Sequence, residues 1–139
     1  AELWEAVVTE TLRPVVATGR TWTFPLPYTR PPLSLNQRLH WAVKARLTAE
    51  VRHYGAVYAR QQHIPRLDRY TFVLHWEPRQ SRGRDQDSPL ATLKPLVDGY
   101  CDATKAADTH DHYVLSAPVI HDPNGRKGRM WVVVHELEP

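Results

Sequence analysis

The sequence predicts an α+β fold, a mixed β-sheet with two main helices packed on it. Two observations carry that expectation. Segments rich in β-formers alternate with two stretches whose apolar residues recur every three or four positions, in the order strand, helix, strand, helix, strand, strand. With 139 residues, 42% of them hydrophobic, and five tryptophans, the chain is long enough to bury one core but hardly two. Residues 20–139 are read as this domain, and residues 1–19 as an arm or an extra element before it. In that leading segment Leu3, Val7, Val8 and Leu12 fit a short helix that Pro14 limits.

Thr21 to Phe24 opens the sheet, because the segment is rich in β-formers. Pro25 and Pro27 either end this strand or confine it to a sheet edge. Arg30-Pro31-Pro32 continues as loop. The first long helix follows, with Ser34 or Asn36 as its cap and Leu39, Val43, Leu47, Val51, Tyr54 and Tyr58 as its apolar stripe. Gly55 weakens it by about 1 kcal/mol without ending it. Pro65 breaks the chain, and Arg69 to Trp76 resumes as a strand. In the second helix Leu90, Leu93, Val97 and Cys101 share a stripe, with Ser88 as N-cap and Pro89 as first helical residue. Pro95 lacks the N–H that would bond four residues back, so a kink or a later true start is expected. Tyr113 to His121 and Arg129 to Leu137 read as two strands. With Asn124-Gly125 between them, an antiparallel hairpin with a long connection is expected.

Composition narrows the function classes. A net charge of +3, with eight histidines besides, permits a polyanionic partner without demanding one. The single cysteine, Cys101, excludes an internal disulfide and a Cys-rich zinc site, and its neighbours suggest a small buried hydrophobe. No stretch reaches the roughly 18 apolar residues of a membrane span, and no signal-peptide pattern opens the sequence. A cytoplasmic protein without a membrane partner is the expectation.

The chemistry concentrates in residues 78–89. Asp85 and Asp87 stand two residues apart just ahead of a helix; in an extended segment both point to one side, their Cα atoms about 6.5–7 Å apart. Two such carboxylates can converge on Mg²⁺, which favours oxygen ligands and accepts a substrate phosphate as a further one. The helix N-terminus beside them also favours anions. An acidic centre alone repels DNA, but Arg79, Arg82 and Arg84 precede the pair and can hold flanking phosphates. A calcium loop counted from Asp85 fails, with Leu90 and Leu96 where glycine and glutamate are needed.

Lys94, seven residues after Asp87, returns to the same side of a helix about 10.5 Å further along. It either reaches back to stabilise charge at the metal site or forms a surface pair with Asp98. In Asp108-Thr109-His110-Asp111-His112, an aspartate completes the carboxylate set that two-metal hydrolysis needs. The same cluster also reads as a solvated loop, or as a zinc site through His110 and His112. On the first helix Arg46, His53 and Arg60, seven apart, form an exposed stripe, either a solvated face or a set of phosphate contacts. His121 and His135 fall in strand patterns and read as structural.

Taken in order, several motifs resemble the RusA family of Holliday-junction resolvases, especially forms common in phages of actinobacteria. They are Pro32-Leu33-Ser34-Leu35-Asn36 with Arg38-Leu39-His40-Trp41, then Arg84-Asp85-Gln86-Asp87 with Leu93-Lys94-Pro95-Leu96-Val97-Asp98-Gly99. Ala107-Asp108 and Ala117-Pro118-Val119-Ile120-His121 follow, so the resemblance runs from about Trp22 to the end. It implies a homodimer whose two sites cut opposing strands of a four-way DNA junction with Mg²⁺ or Mn²⁺. Asp85 and Asp87 match the family's catalytic pair, and Lys94 its helix lysine. Two positions depart: Ser88 stands where the family has asparagine, and Thr109 where it has a catalytic aspartate, leaving Asp108 or Asp111 to supply the third carboxylate.

Overall fold

The computed structural model describes residues 14–34, 38–80, 89–123 and 125–139. Its elements are β1 (Ala17–Leu26), α1 (Trp41–Gln61), β2 (Tyr70–Glu77), α2 (Leu90–Thr104), β3 (Val119–Ile120) and β4 (Arg129–Leu137). They form an α+β fold with one four-stranded mixed sheet in the order β1-β4-β2-β3. β4 pairs antiparallel with both β1 and β2, while β3 runs parallel to β2.

Alternation along β2 sets the two faces of the sheet. Tyr70, Phe72, Leu74 and Trp76 are buried under the helices, whereas Val73, His75 and Glu77 keep part of their surface on the opposite face. From the helices, Val51, Ala59, Leu93, Leu96, Val97 and Tyr100 complete the core. Tyr58 stacks on Phe24 with ring centroids 5.0 Å apart, tying α1 to the edge strand.

The helices meet through glycine. A Cβ on Gly99 would collide with the backbone carbonyl of Arg52, and one on Gly55 with that of Leu96. Gly55 therefore does more than weaken α1: its bare backbone lets the two helices approach closely. Beside the crossing, Arg52 donates two hydrogen bonds to Asp102, at 2.6 and 2.8 Å.

Several boundaries differ from the sequence reading. β1 begins at Ala17, ahead of residue 20; it passes through Pro25 as an edge strand, one of the two outcomes the prolines allow. α1 is capped by His40, whose Nδ1 accepts from the Ala42 amide at 3.2 Å. Neither Ser34 nor Asn36 is the cap, and Asn36 lies outside the described residues. α2 starts at Leu90 and runs through the buried Pro95, and Pro89 is its N-cap without a side-chain cap bond. Ser88 lies outside the described residues, as do residues 1–13 with the helix read there.

The expected hairpin is absent. Among residues 113–121 only Val119–Ile120 is strand, joined by an isolated parallel bridge between Tyr70 and Tyr113, and both pair with β2. β2, the strand most deeply buried, inserts between the two segments and takes β4 as its antiparallel neighbour. The connection crosses the end of β2, where the His121 amide bonds Trp76 O at 2.8 Å and the Gly125 amide bonds Arg79 O at 3.0 Å.

Candidate functional site

Helix α2 presents Lys94 to solvent one turn after its start. At the far end Lys105 adopts a left-handed conformation, φ 66°, and its amide bonds Cys101 O at 2.8 Å. That turn reverses the chain along the helix. Tyr70, the first residue of β2, then fixes the returning segment. Its hydroxyl donates to Ala107 O at 3.0 Å, its amide to His112 O at 2.8 Å, and its carbonyl accepts from Val114 N at 2.9 Å. The next residue after Ala107 is Asp108, and its Oδ2 meets Lys94 Nζ at 2.5 Å. Asp98 Oδ1 reaches the same ammonium at 2.9 Å from one turn further along α2.

Two carboxylates from different segments thus converge on one lysine. The Asp108 hydrogen bond, then that of Asp98, pushes the Lys94 ammonium well above its ordinary range. The same Lys94 bond holds the Asp108 carboxyl below its usual 3.8. The pair is therefore fully charged at neutral pH, and its contribution fades only as acid titrates Asp108 below that value. Beside them the Tyr113 hydroxyl is buried with no hydrogen-bond partner among the described residues. Burial pushes its pKa up to about 12, against a smaller opposing effect of Lys94. Cys101 is half-buried, with Sγ 3.4 Å from the Tyr70 hydroxyl, and burial raises its pKa, so it stays a thiol.

Of the two candidate third carboxylates, Asp108 is the one brought to Lys94. Asp111 stands 63% exposed beside His110, its Oδ1 3.3 Å from Nε2. His112 faces elsewhere, with Nδ1 2.7 Å from the Asp68 carbonyl oxygen, so the two imidazoles have different partners. Arg46, His53 and Arg60 are all exposed along α1. Asp85, Asp87, Arg82 and Arg84 lie outside the described residues.

Asp98 and Asp108 turn carboxylate oxygens to one point, and that point is the Lys94 ammonium. The cation these carboxylates hold in the structure is a side chain. Among the described residues no three carboxylates, histidines or cysteines gather closely enough to hold an ion by themselves.

Arg79 lies elsewhere, in an open cavity at the end of β2. Arg30, Arg126 and Lys127 line the cavity with it. Those three cations and Tyr113 did not stand out in the sequence. Arg126-Lys127 was visible as a basic pair after Asn124-Gly125, but its position beside Arg79 depends on the way 121–128 crosses β2.

On the opposite sheet face, His75 Nδ1 lies 2.9 Å from His121 Nε2, and His75 stacks on Trp131 with centroids 5.1 Å apart. Burial, then the charges of His121 and His135, depresses the His75 pKa below its usual 6.5. The unfolded chain takes up that proton first, so this contribution to stability is present above about pH 6.5 and lost as the pH falls toward the folded value. Urea unfolding at about pH 7.5 and pH 5.5 should show wild type losing stability at the lower pH, and His75→Phe losing less. An equal loss in both proteins would remove His75 from the explanation.

No protein-family model matches the chain. It is similar to an uncharacterized protein of Xylella fastidiosa (strain Temecula1 / ATCC 700964), 28% identical over 114 residues, which cover 78% of this chain and 72% of that protein.

Proposed function

We propose that the chain is a metal-dependent endonuclease that cuts four-way junctions and other branched DNA, a member of the RusA kind acting as a homodimer. The observation that supports this best is the convergence of Lys94 and Asp108, fourteen residues apart in sequence, directly downstream of the Asp85-Gln86-Asp87 segment. The reading combines a carboxylate set, a lysine and a basic collar, the residue types that hydrolysis of a phosphodiester calls for.

In this reading Asp85, Asp87 and Asp108 would hold Mg²⁺ or Mn²⁺. When bound, the ion offsets phosphate charge and lowers the pKa of water. Lys94, kept protonated by its two carboxylates, supplies a fixed positive charge for the developing oxyanion. Arg79, Arg82 and Arg84 seat the flanking backbone. Paired cuts on a symmetric junction require paired sites, hence the dimer.

A second reading, junction binding without cleavage, draws on the same contact: Asp108 already spends its charge on Lys94, and Thr109 stands at the family's aspartate position. A strand-labelled synthetic junction incubated with Mg²⁺, Mn²⁺ or EDTA separates the two. Paired nicks that vanish with EDTA and in Asp85→Asn support the nuclease. Tight binding without nicks, with cutting gained in Thr109→Asp, supports the binder.

A further inference from the structure

We infer that the cavity at the end of β2 is a seat for the phosphodiester backbone of a duplex DNA arm, one that adds affinity without choosing the structure cut. The inference rests on the proposed function and names a contact surface for its substrate.

The seat is built from three loops fastened to one another. Trp76 Nε1 donates to Thr29 O at 3.2 Å, and the Gly125 amide donates to Arg79 O at 3.0 Å. Gly128 packs so tightly that a Cβ there would collide with the Thr29 carbonyl. These contacts gather residues from far apart in sequence around a cavity of about 500 Å³. Arg30, Arg79, Arg126 and Lys127 all line it and are all exposed, and no aspartate or glutamate is among its described lining residues. Four exposed cations gathered around one cavity suit a polyanion.

The lining also decides between duplex and unpaired strand. Proteins that hold single strands stack bases on exposed aromatic rings. Trp76 is the one aromatic residue in the described lining; it is 3% exposed and its indole N–H is already engaged. Without a stacking ring in its described lining the cavity offers no platform for unpaired bases, while its cations suit phosphates. Phosphate contacts position a protein on DNA and carry no sequence information. Arg79 stands six residues before Asp85 in the sequence.

The test is fluorescence anisotropy with a four-way junction and a linear duplex, in Ca²⁺, across a range of salt, for wild type and the double variant Arg126→Ala, Lys127→Ala. Loss of two phosphate contacts should flatten the slope of log K against log salt by about 1.8 on both DNAs. Affinity should fall about 10- to 100-fold at about 0.1 M salt, equally for both. Mg²⁺-dependent cutting at saturating protein should be unchanged. Circular dichroism melting checks that the variant folds, and Lys127→Arg should retain the wild-type slope. An unchanged slope in the folded double variant overturns this seat while leaving the nuclease reading intact. A loss confined to the junction overturns it too, because the contact would then be reading structure. Wild type that neither binds nor cuts DNA overturns both.

Discussion

Gly99→Ala is expected to be the most damaging single methyl group in the molecule. The added Cβ points at the Arg52 carbonyl of α1, a backbone atom that no rotamer change can move aside. Relief requires the two helices to separate, and these carry Val51, Ala59, Leu93, Leu96, Val97 and Tyr100 of the core. Overpacking that side chains can absorb costs about 1–3 kcal/mol; here the cost should reach about 3 kcal/mol or more. For a domain of this size the midpoint of thermal unfolding should drop by about 10 °C. Gly55→Ala meets the Leu96 carbonyl and should behave alike. A melting temperature within about 2 °C of wild type for both would mean that the helices do not cross as described.

The second large effect belongs to Lys94. It is 63% exposed, so Lys94→Ala should leave folding nearly intact. Its removal leaves Asp98 and Asp108 without their shared cation and, in the proposed reaction, the scissile phosphate without a fixed positive charge. Single-turnover cutting of a junction in Mg²⁺ should fall about 100- to 1,000-fold, the range seen when one preorganised charge stabiliser is lost. Junction affinity measured in Ca²⁺ should change far less. A large loss of affinity with an unchanged cutting rate would make Lys94 a backbone contact, remote from the chemistry.

Much of the fold is legible in local pattern. Alternation in Arg69 to Trp76 and the three-to-four-residue spacing in the helices come from short-range geometry, and both survive in β2, α1 and α2. The hairpin does not form because adjacency in sequence does not dictate pairing in space. Which strand β4 joins is settled by burial of β2 between its neighbours, a choice made across the whole sheet. Gly55 was legible as a weak helix residue; its use, close approach to Leu96, requires knowing the partner helix.

The candidate site divides in the same way. Lys94 with Asp98 follows from helical spacing alone. Asp108 meeting Lys94 does not, because it depends on the left-handed turn at Lys105 and the Tyr70 hydroxyl bond to Ala107. By sequence alone Asp108 and Asp111 are therefore equivalent candidates. The basic cavity was half-legible: Arg79 belonged to a visible run, while Arg30, Arg126 and Lys127 join it only through loops stapled by Trp76, Gly125 and Gly128.

The measurement that bears most directly on the proposed site compares Asp108→Asn with Asp111→Asn in Mg²⁺-dependent cutting of a strand-labelled four-way junction. The expected result is loss of about 100-fold or more in Asp108→Asn, as for a carboxylate at the reacting centre, with Asp111→Asn close to wild type. Cutting that survives in Asp108→Asn and is lost in Asp111→Asn would contradict the site built around Lys94 and Asp108.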